Sequence, residues 1–189
     1  SLPPERVQEK VGSVGYPIFH IDMKTIRDDG SDCDDEEEGE LLIRGPHVVA
    51  GYWRNPEATA ETIRDGWLHT GDIAVRDTDG CYSFLGRSKE MFISGGENDY
   101  PAEIESVLMA HPQVLDAAVV GVPHPTWGEV GRAFIVAGDS YDEKELIAFL
   151  QERLARYKLP RSIVLIDALP LTAIGKVDKK RLEKREVPE

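Results

Sequence analysis

The chain has 189 residues, a net charge of −13 and 41% apolar residues. That length allows one large or two small globular domains, and the acidic balance leaves no basic excess to neutralise nucleic-acid phosphates. Two cysteines (Cys33 and Cys81) and five histidines show no CxxC pair and no zinc-ligand spacing, and no apolar run approaches the roughly 20 residues of a membrane span. A disulfide framework, a zinc site and a transmembrane segment are therefore not expected. A secretory leader is not expected either, and a reducing, cytoplasmic setting fits this cysteine usage.

Residues 1–11 are polar and contain Pro3 and Pro4, which predicts a tail. A β-rich run over 18–26 predicts a strand. Eight acidic residues follow between Asp28 and Glu38, a self-repelling, solvated loop without the ligand spacing of a calcium site. A strand is expected over 40–44, closed by Gly45-Pro46. Asn55 and Pro56 have the chemistry of an N-cap and first helical position for a short helix through Ile63. Residues 72–76 and 81–85 flank Asp77-Thr78-Asp79-Gly80, a hairpin pattern. The first half thus reads as short antiparallel strands forming a small distorted β-barrel.

The pattern changes after Gly86-Arg87. A short strand over 91–94 leads into Gly95-Gly96, expected as a turn between strand and helix. Pro101 opens a helix with Ile104, Val107 and Leu108 at helical spacing. Residues 114–122 and 131–137 are apolar strands, and Asp142 caps a helix with Leu146, Phe149, Leu150 and Leu154 on one face. Another strand over 162–166 and a short helix capped by Asp178 complete the chain. Strands alternating with helices predict a compact α/β unit of independent domain size, making the whole α+β. The boundary is expected near Ser88-Lys89.

Four segments carry the chemistry: GELLIRGPHVVAGYW from Gly39, DGWLHTGDIA from Asp65, GRSKEMFISGGENDYPAEIE from Gly86 and LPLTAIGKVDKKRL from Leu169. In this order and spacing they resemble the C-terminal motifs of the adenylate-forming (AMP-binding) superfamily, over roughly residues 12–182. The SGGEN and PAEIE strings favour its acyl-CoA synthetase branch, fatty-acid–CoA ligases included. The resemblance implies an ATP-dependent acid–thiol ligase. Such an enzyme joins a carboxylic acid, expected to be a fatty acid, to AMP and passes the acyl group to CoA. It also implies an organisation of tail (1–11), β-barrel subdomain of a large adenylation domain (12–87) and mobile C-terminal lid domain (88–189).

By the same resemblance Asp72 holds the ribose, where its bare residue context would suggest a turn aspartate bonded to its own backbone. Arg87 contacts the nucleotide, or else is a surface arginine at a domain edge. Lys89 marks the hinge of domain rotation, or is an exposed linker lysine. Gly95 and Gly96 lie beside the pantetheine tunnel for CoA, or serve turn geometry alone. Lys176 is the catalytic, nucleotide-contacting lysine that offsets charge as the carboxylate attacks the α-phosphate. The alternative joins it with Lys179 and Lys180 in one solvated basic patch, the reading adopted for Lys179 and Lys180. Asp99, Tyr16 and Leu171 depart from the usual pattern.

No Ser/Thr- and Gly-rich phosphate loop is present. The loop, the magnesium ligand and the acyl pocket are expected in a missing N-terminal part, the chain's implied partner, and the piece alone is expected to be inactive. ATP with Mg2+ and the co-substrate CoA are the implied ligands. No metal site, nucleic acid partner or membrane span is expected within these residues. Two rivals are an adenylation domain delivering to a carrier protein and a non-catalytic interaction module.

Overall fold

A computed structural model describes residues 1–10 and 12–185. It divides into two compact units, Ser1–Lys89 and Glu90–Glu189.

The first unit contains β1 (Ser13–Gly15), β2 (Asp22–Ile26), β3 (Glu38–Arg44), α1 (Pro56–Thr62), β4 (Ile63–Arg64), β5 (Trp67–Arg76) and β6 (Tyr82–Arg87). Asn55 caps α1 as expected, its side chain accepting from the Ala58 N–H, with Pro56 in the first turn. Asp77 Oδ1 accepts from the N–H groups of Asp79 and Cys81, and Gly80 takes the left-handed conformation that closes the β5–β6 hairpin. The strands pair in the order β1-β6-β5-β3-β2, with β4 on β5.

This sheet is open, not the barrel expected. Closure would require its edges, β1 and β2, to pair with each other, and among the described residues each pairs with a single neighbouring strand. The edge strand β1 has three residues and a register shift, too little ladder to turn a sheet onto itself. Leu41, Ala74 and Tyr82 form a small core with Met23 and Ile43, and the Tyr82 hydroxyl donates to the Met23 carbonyl at 2.8 Å.

The acidic segment is tied down more than its charge suggests. Arg27 donates to both carboxylate oxygens of Glu37 and to Asp34, and Arg76 donates to Asp35 at 2.6 Å. The first residues are also bonded to the hairpin turn, through Arg6–Asp79 at 2.9 Å and Lys10–Asp77 at 2.6 Å.

The second unit contains β7 (Phe92–Ser94), β8 (Glu97–Asp99), α2 (Pro101–Met109), β9 (Val114–His124), β10 (Gly128–Ala137), α3 (Glu143–Gln151), β11 (Ser162–Leu165) and α4 (Lys179–Glu183). Its sheet runs β11-β10-β7-β8, with β9 also on β10; the β10–β11 pair is parallel and the β9–β10, β7–β10 and β7–β8 pairs are antiparallel. The apolar runs of β9 and β10 are continuous because both sheet faces are covered. Val119, Ala133 and Ile135 join Ile104 and Leu108 of α2 and Leu146 and Leu150 of α3. The alternate residues Ala118, Val120, Val122 and Phe134 join Ile166, Leu169 and Leu182 of α4.

Asp99 is 1% exposed, with Oδ1 lacking a hydrogen-bond partner. Burial pushes its carboxyl from 3.8 up to about 6, with Lys158 opposing and Glu103 and Glu97 reinforcing the shift. The folded state therefore holds this proton more tightly than the unfolded chain. Its stabilising contribution is present at low pH and is lost as pH rises through about 6. Asp99→Asn should raise unfolding free energy at about pH 8 by roughly 1–3 kcal/mol and change it little at about pH 4. Urea denaturation at both pH values checks this, and an equal effect at both would contradict it.

Candidate functional site

In the first unit, cross-strand register creates a charged pair. Asp72 on β5 stands opposite Arg87 on β6, and Arg87 donates to Asp72 Oδ1 at 2.5 Å and to the Thr70 carbonyl at 2.9 Å. The Asp72 side chain is 28% exposed, covered on one side and reachable on the other. The bulge in β5 just before it, where the register with β3 shifts, is built by hydrogen bonds. Thr70 Oγ1 donates to the Leu41 carbonyl and accepts from the Asp72 N–H. Glu40 on β3 accepts from the Gly71 N–H at 3.1 Å with one oxygen and lies 2.9 Å from His69 Nδ1 with the other. Gly71 has φ +68°, so a side chain there would strain the bulge that aims Asp72. Glu40 was not a sequence candidate, although its segment was.

Lys89 lies in the exposed turn Ser88–Glu90. Gly95 and Gly96 do not lead into a helix, as the sequence suggested. They form the two-residue turn of a hairpin between β7 and β8, with Ser94 opposite Glu97. Their φ values of +63° and +94° are the pair that such a turn demands. Sequence reasoning missed β8 because three residues, Glu97-Asn98-Asp99, have poor strand propensity and are held by the turn.

The two glycines differ in their surroundings. A Cβ on Gly95 would lie 2.8 Å from Cε3 of Trp127, whereas one on Gly96 meets open space. The Gly95 N–H donates to the Trp127 carbonyl at 2.9 Å. Trp127, with Ser94, Val130, Arg156, Tyr157, Leu159 and Arg161, lines a cavity of about 500 Å3. Two guanidiniums and two aromatic rings around one cavity can take an anionic ligand bearing a planar ring. None of these lining residues was a sequence candidate. The signal available was the interleaving of Arg156, Tyr157 and Arg161 and a tryptophan in a polar loop.

Lys176 sits on a separate hairpin. Thr172 N–H donates to the Lys176 carbonyl at 2.7 Å, Lys176 N–H donates to Thr172 Oγ1 at 3.2 Å, and Leu171 bridges Val177. The Lys176 side chain is exposed, as are Ala173, Ile174 and Gly175 at the tip. Lys179 departs from the solvated patch expected for it. It is 18% exposed and paired with Glu90 at 2.5 Å and Glu105 at 2.9 Å. Lys180 is exposed. Among the described residues, no three His, Cys, Asp or Glu side chains converge on a metal position.

Residues 1–53 match the family model described as AMP-binding enzyme, and residues 103–176 match AMP-binding enzyme C-terminal domain. A feruloyl-CoA synthase of Amycolatopsis sp is 48% identical over 97% of this chain, and a 2-succinylbenzoate–CoA ligase of Geobacillus kaustophilus is 46% identical over 100% of it. The chain spans 38% of the length of each. The o-succinylbenzoate CoA synthetase of Bacillus subtilis, solved with its acyl-adenylate intermediate, matches at a TM-score of 0.92 and 39% identity, over 100% of this chain and 39% of that one. It has also been solved with ATP and a magnesium ion.

Proposed function

The chain belongs to the AMP-binding enzyme family, and from that premise we propose that it is the C-terminal part of an ATP-dependent acid–thiol ligase that makes acyl-AMP and transfers the acyl group to CoA. The observation that carries the thiol half is the cavity beside the Gly95 turn. Arg156 and Arg161 suit a phosphorylated carrier, Trp127 and Tyr157 suit a planar base, and the bare Gly95 backbone lets the Trp127 ring close against the turn, leaving the cavity itself for a thin thiol-bearing arm. A protein-borne thiol needs no such cavity, which disfavours delivery to a carrier protein.

The nucleotide half rests on Asp72 and Arg87. A carboxylate clamps vicinal ribose hydroxyls by accepting two hydrogen bonds, and Arg87 both orients it and offers a positive charge to phosphate or ribose oxygens. Lys176 arrives on its hairpin as the cation for the α-phosphate, and Lys89 serves as the hinge between residues 12–87 and the lid, 88–189. ATP is expected with Mg2+, whose ligands would lie in the N-terminal part. Phe19 and Trp53, 93% and 86% exposed, are suited to being covered by that part.

For the acid, an aromatic carboxylic acid is better supported than the fatty acid expected from the motifs. A feruloyl-CoA synthase and 2-succinylbenzoate–CoA ligases are among its relatives. The test is pyrophosphate release and acyl-CoA formation by the full-length ligase carrying this chain, with ATP, Mg2+ and CoA. Cinnamic-type acids, succinylbenzoate and fatty acids form the panel. Acyl-CoA formation from an aromatic acid is the expected result. Acyl transfer to a phosphopantetheinylated carrier protein but not to CoA would overturn it.

A further inference from the structure

We propose that Lys179 is a positioning residue that clamps the Lys176 hairpin to the first residue of the second unit, so that hairpin and Glu90 move as one body. The inference rests on the proposed role of Lys176 in adenylation. Lys179 is the first residue of α4, three positions after Lys176. Its ammonium joins two carboxylates from distant parts of the chain, Glu90 beside Lys89 and Glu105 on α2.

Glu105 is itself fixed. Its Oε1 accepts from Lys179 and also from the Val119 N–H on β9 at 2.8 Å. Lys179 is therefore held against the sheet, not merely against another mobile side chain. The side chains of Lys179 and Glu105 are 18% and 20% exposed, covered enough for the charges to be screened less than at the surface. On the other side, Asp178 N–H donates to the Pro170 carbonyl at 2.8 Å, closing the base of the hairpin. Asp178 also caps α4 through the Arg181 N–H, and Leu182 is buried under the sheet. The tip, in contrast, is solvent-facing, with Ile174 79% exposed. The position of Lys176 is thus set almost wholly from the base of its hairpin, and Lys179 is the charged link there.

The geometry also bears on rotation. A hinge works when torsional change is confined to a few backbone positions. Binding Glu90 to the sheet of its own unit leaves Ser88 and Lys89 to absorb that change. The hairpin then arrives with the unit and needs no closing step of its own.

The experiment compares Lys179→Met, Lys179→Arg and Lys176→Ala in the full-length ligase. Adenylation and thioester formation from pre-made acyl-adenylate are measured separately, together with hydrogen exchange over residues 171–182. Lys179→Met should lower the adenylation kcat on the order of 10- to 100-fold, as misplacement of a catalytic group does. It should leave KM for ATP and thioester formation near the parent values and speed exchange at Gly175 to Val177. Lys179→Arg, which keeps the charge, should recover most of both losses.

Equal losses in both half-reactions, or unchanged exchange in the hairpin, would overturn the clamp. So would full adenylation by Lys179→Met when Lys176→Ala is impaired. If Lys176→Ala itself adenylates normally, the role given to Lys176 fails, and the exchange measurement still decides whether Lys179 holds the hairpin. Should Lys179→Met not fold, Glu90→Gln removes one link and should show the same exchange pattern at smaller size.

Discussion

Lys176→Ala in the full-length ligase is expected to slow acyl-adenylate formation about 100- to 1000-fold and to leave thioester formation from pre-made acyl-adenylate largely intact. The magnitude is that of removing one preorganised electrostatic contact from a developing charge, about 3–4 kcal/mol. Three features make the side chain suited to it. It is exposed, so it can enter a site on another part of the protein. It is carried on a hairpin closed by the Thr172–Lys176 backbone bond and the Leu171–Val177 bridge, so its backbone is set before the ligand arrives. Gly175 takes φ +77°, which turns the chain immediately before the lysine. In the proposed assignment CoA attack uses the Gly95 face of the same unit, and a small domain cannot offer both faces to one centre at once. Rapid-quench measurement of both half-reactions checks this. Equal slowing of the two steps would show that Lys176 acts by stabilising the fold.

Elements with strong local chemistry were legible in the sequence. The Asn55-Pro56 cap, the Asp77 turn, the Asp142 and Asp178 caps and the apolar runs of β9 and β10 all report locally, through a side chain bonded to nearby backbone or through continuous burial. Whether the first sheet closes was not legible, because closure depends on pairing between β1 and β2, which no local pattern encodes. β8 was missed for a related reason, its three polar residues being strand only because Gly95-Gly96 folds them back on β7.

The site shows the same division. Asp72 and Arg87 were candidates through their segments, and strand register brings them together. Lys179 looked like one of several surface lysines, since its carboxylate partners lie 89 residues away at Glu90 and in α2 at Glu105. Among the cavity residues, Arg156 and Arg161 share the α3–β11 connection, whereas Trp127 comes from the β9–β10 turn, and no spacing in the sequence announces that the two segments converge.

Gly95→Leu is expected to have the opposite signature to Lys176→Ala, abolishing most thioester formation while adenylation continues. Two costs combine at this position. Any Cβ must adopt φ +63°, which disfavours an L-residue by roughly 1–2 kcal/mol. The Cβ would also stand 2.8 Å from the Trp127 ring, so the indole must move. Trp127 lines the arginine-bearing cavity, and a displaced indole narrows the space proposed for the thiol-bearing arm. The leucine side chain then fills what remains of the approach.

Gly96→Ala separates these effects. It carries the same kind of backbone strain at φ +94° but meets nothing within 4 Å. It should therefore lower stability by an amount close to Gly95→Ala's strain component and reduce thioester formation much less. Trp127→Ala in the Gly95→Leu background adds a further arm, since removing the ring relieves the collision and should return part of the folding stability. The readouts are adenylation by pyrophosphate release, thioester formation from pre-made acyl-adenylate, and thermal unfolding of each variant. If Gly95→Leu spares thioester formation, or if Gly96→Ala is equally damaging to it, the Gly95 turn is a structural hairpin and the arm of CoA passes elsewhere.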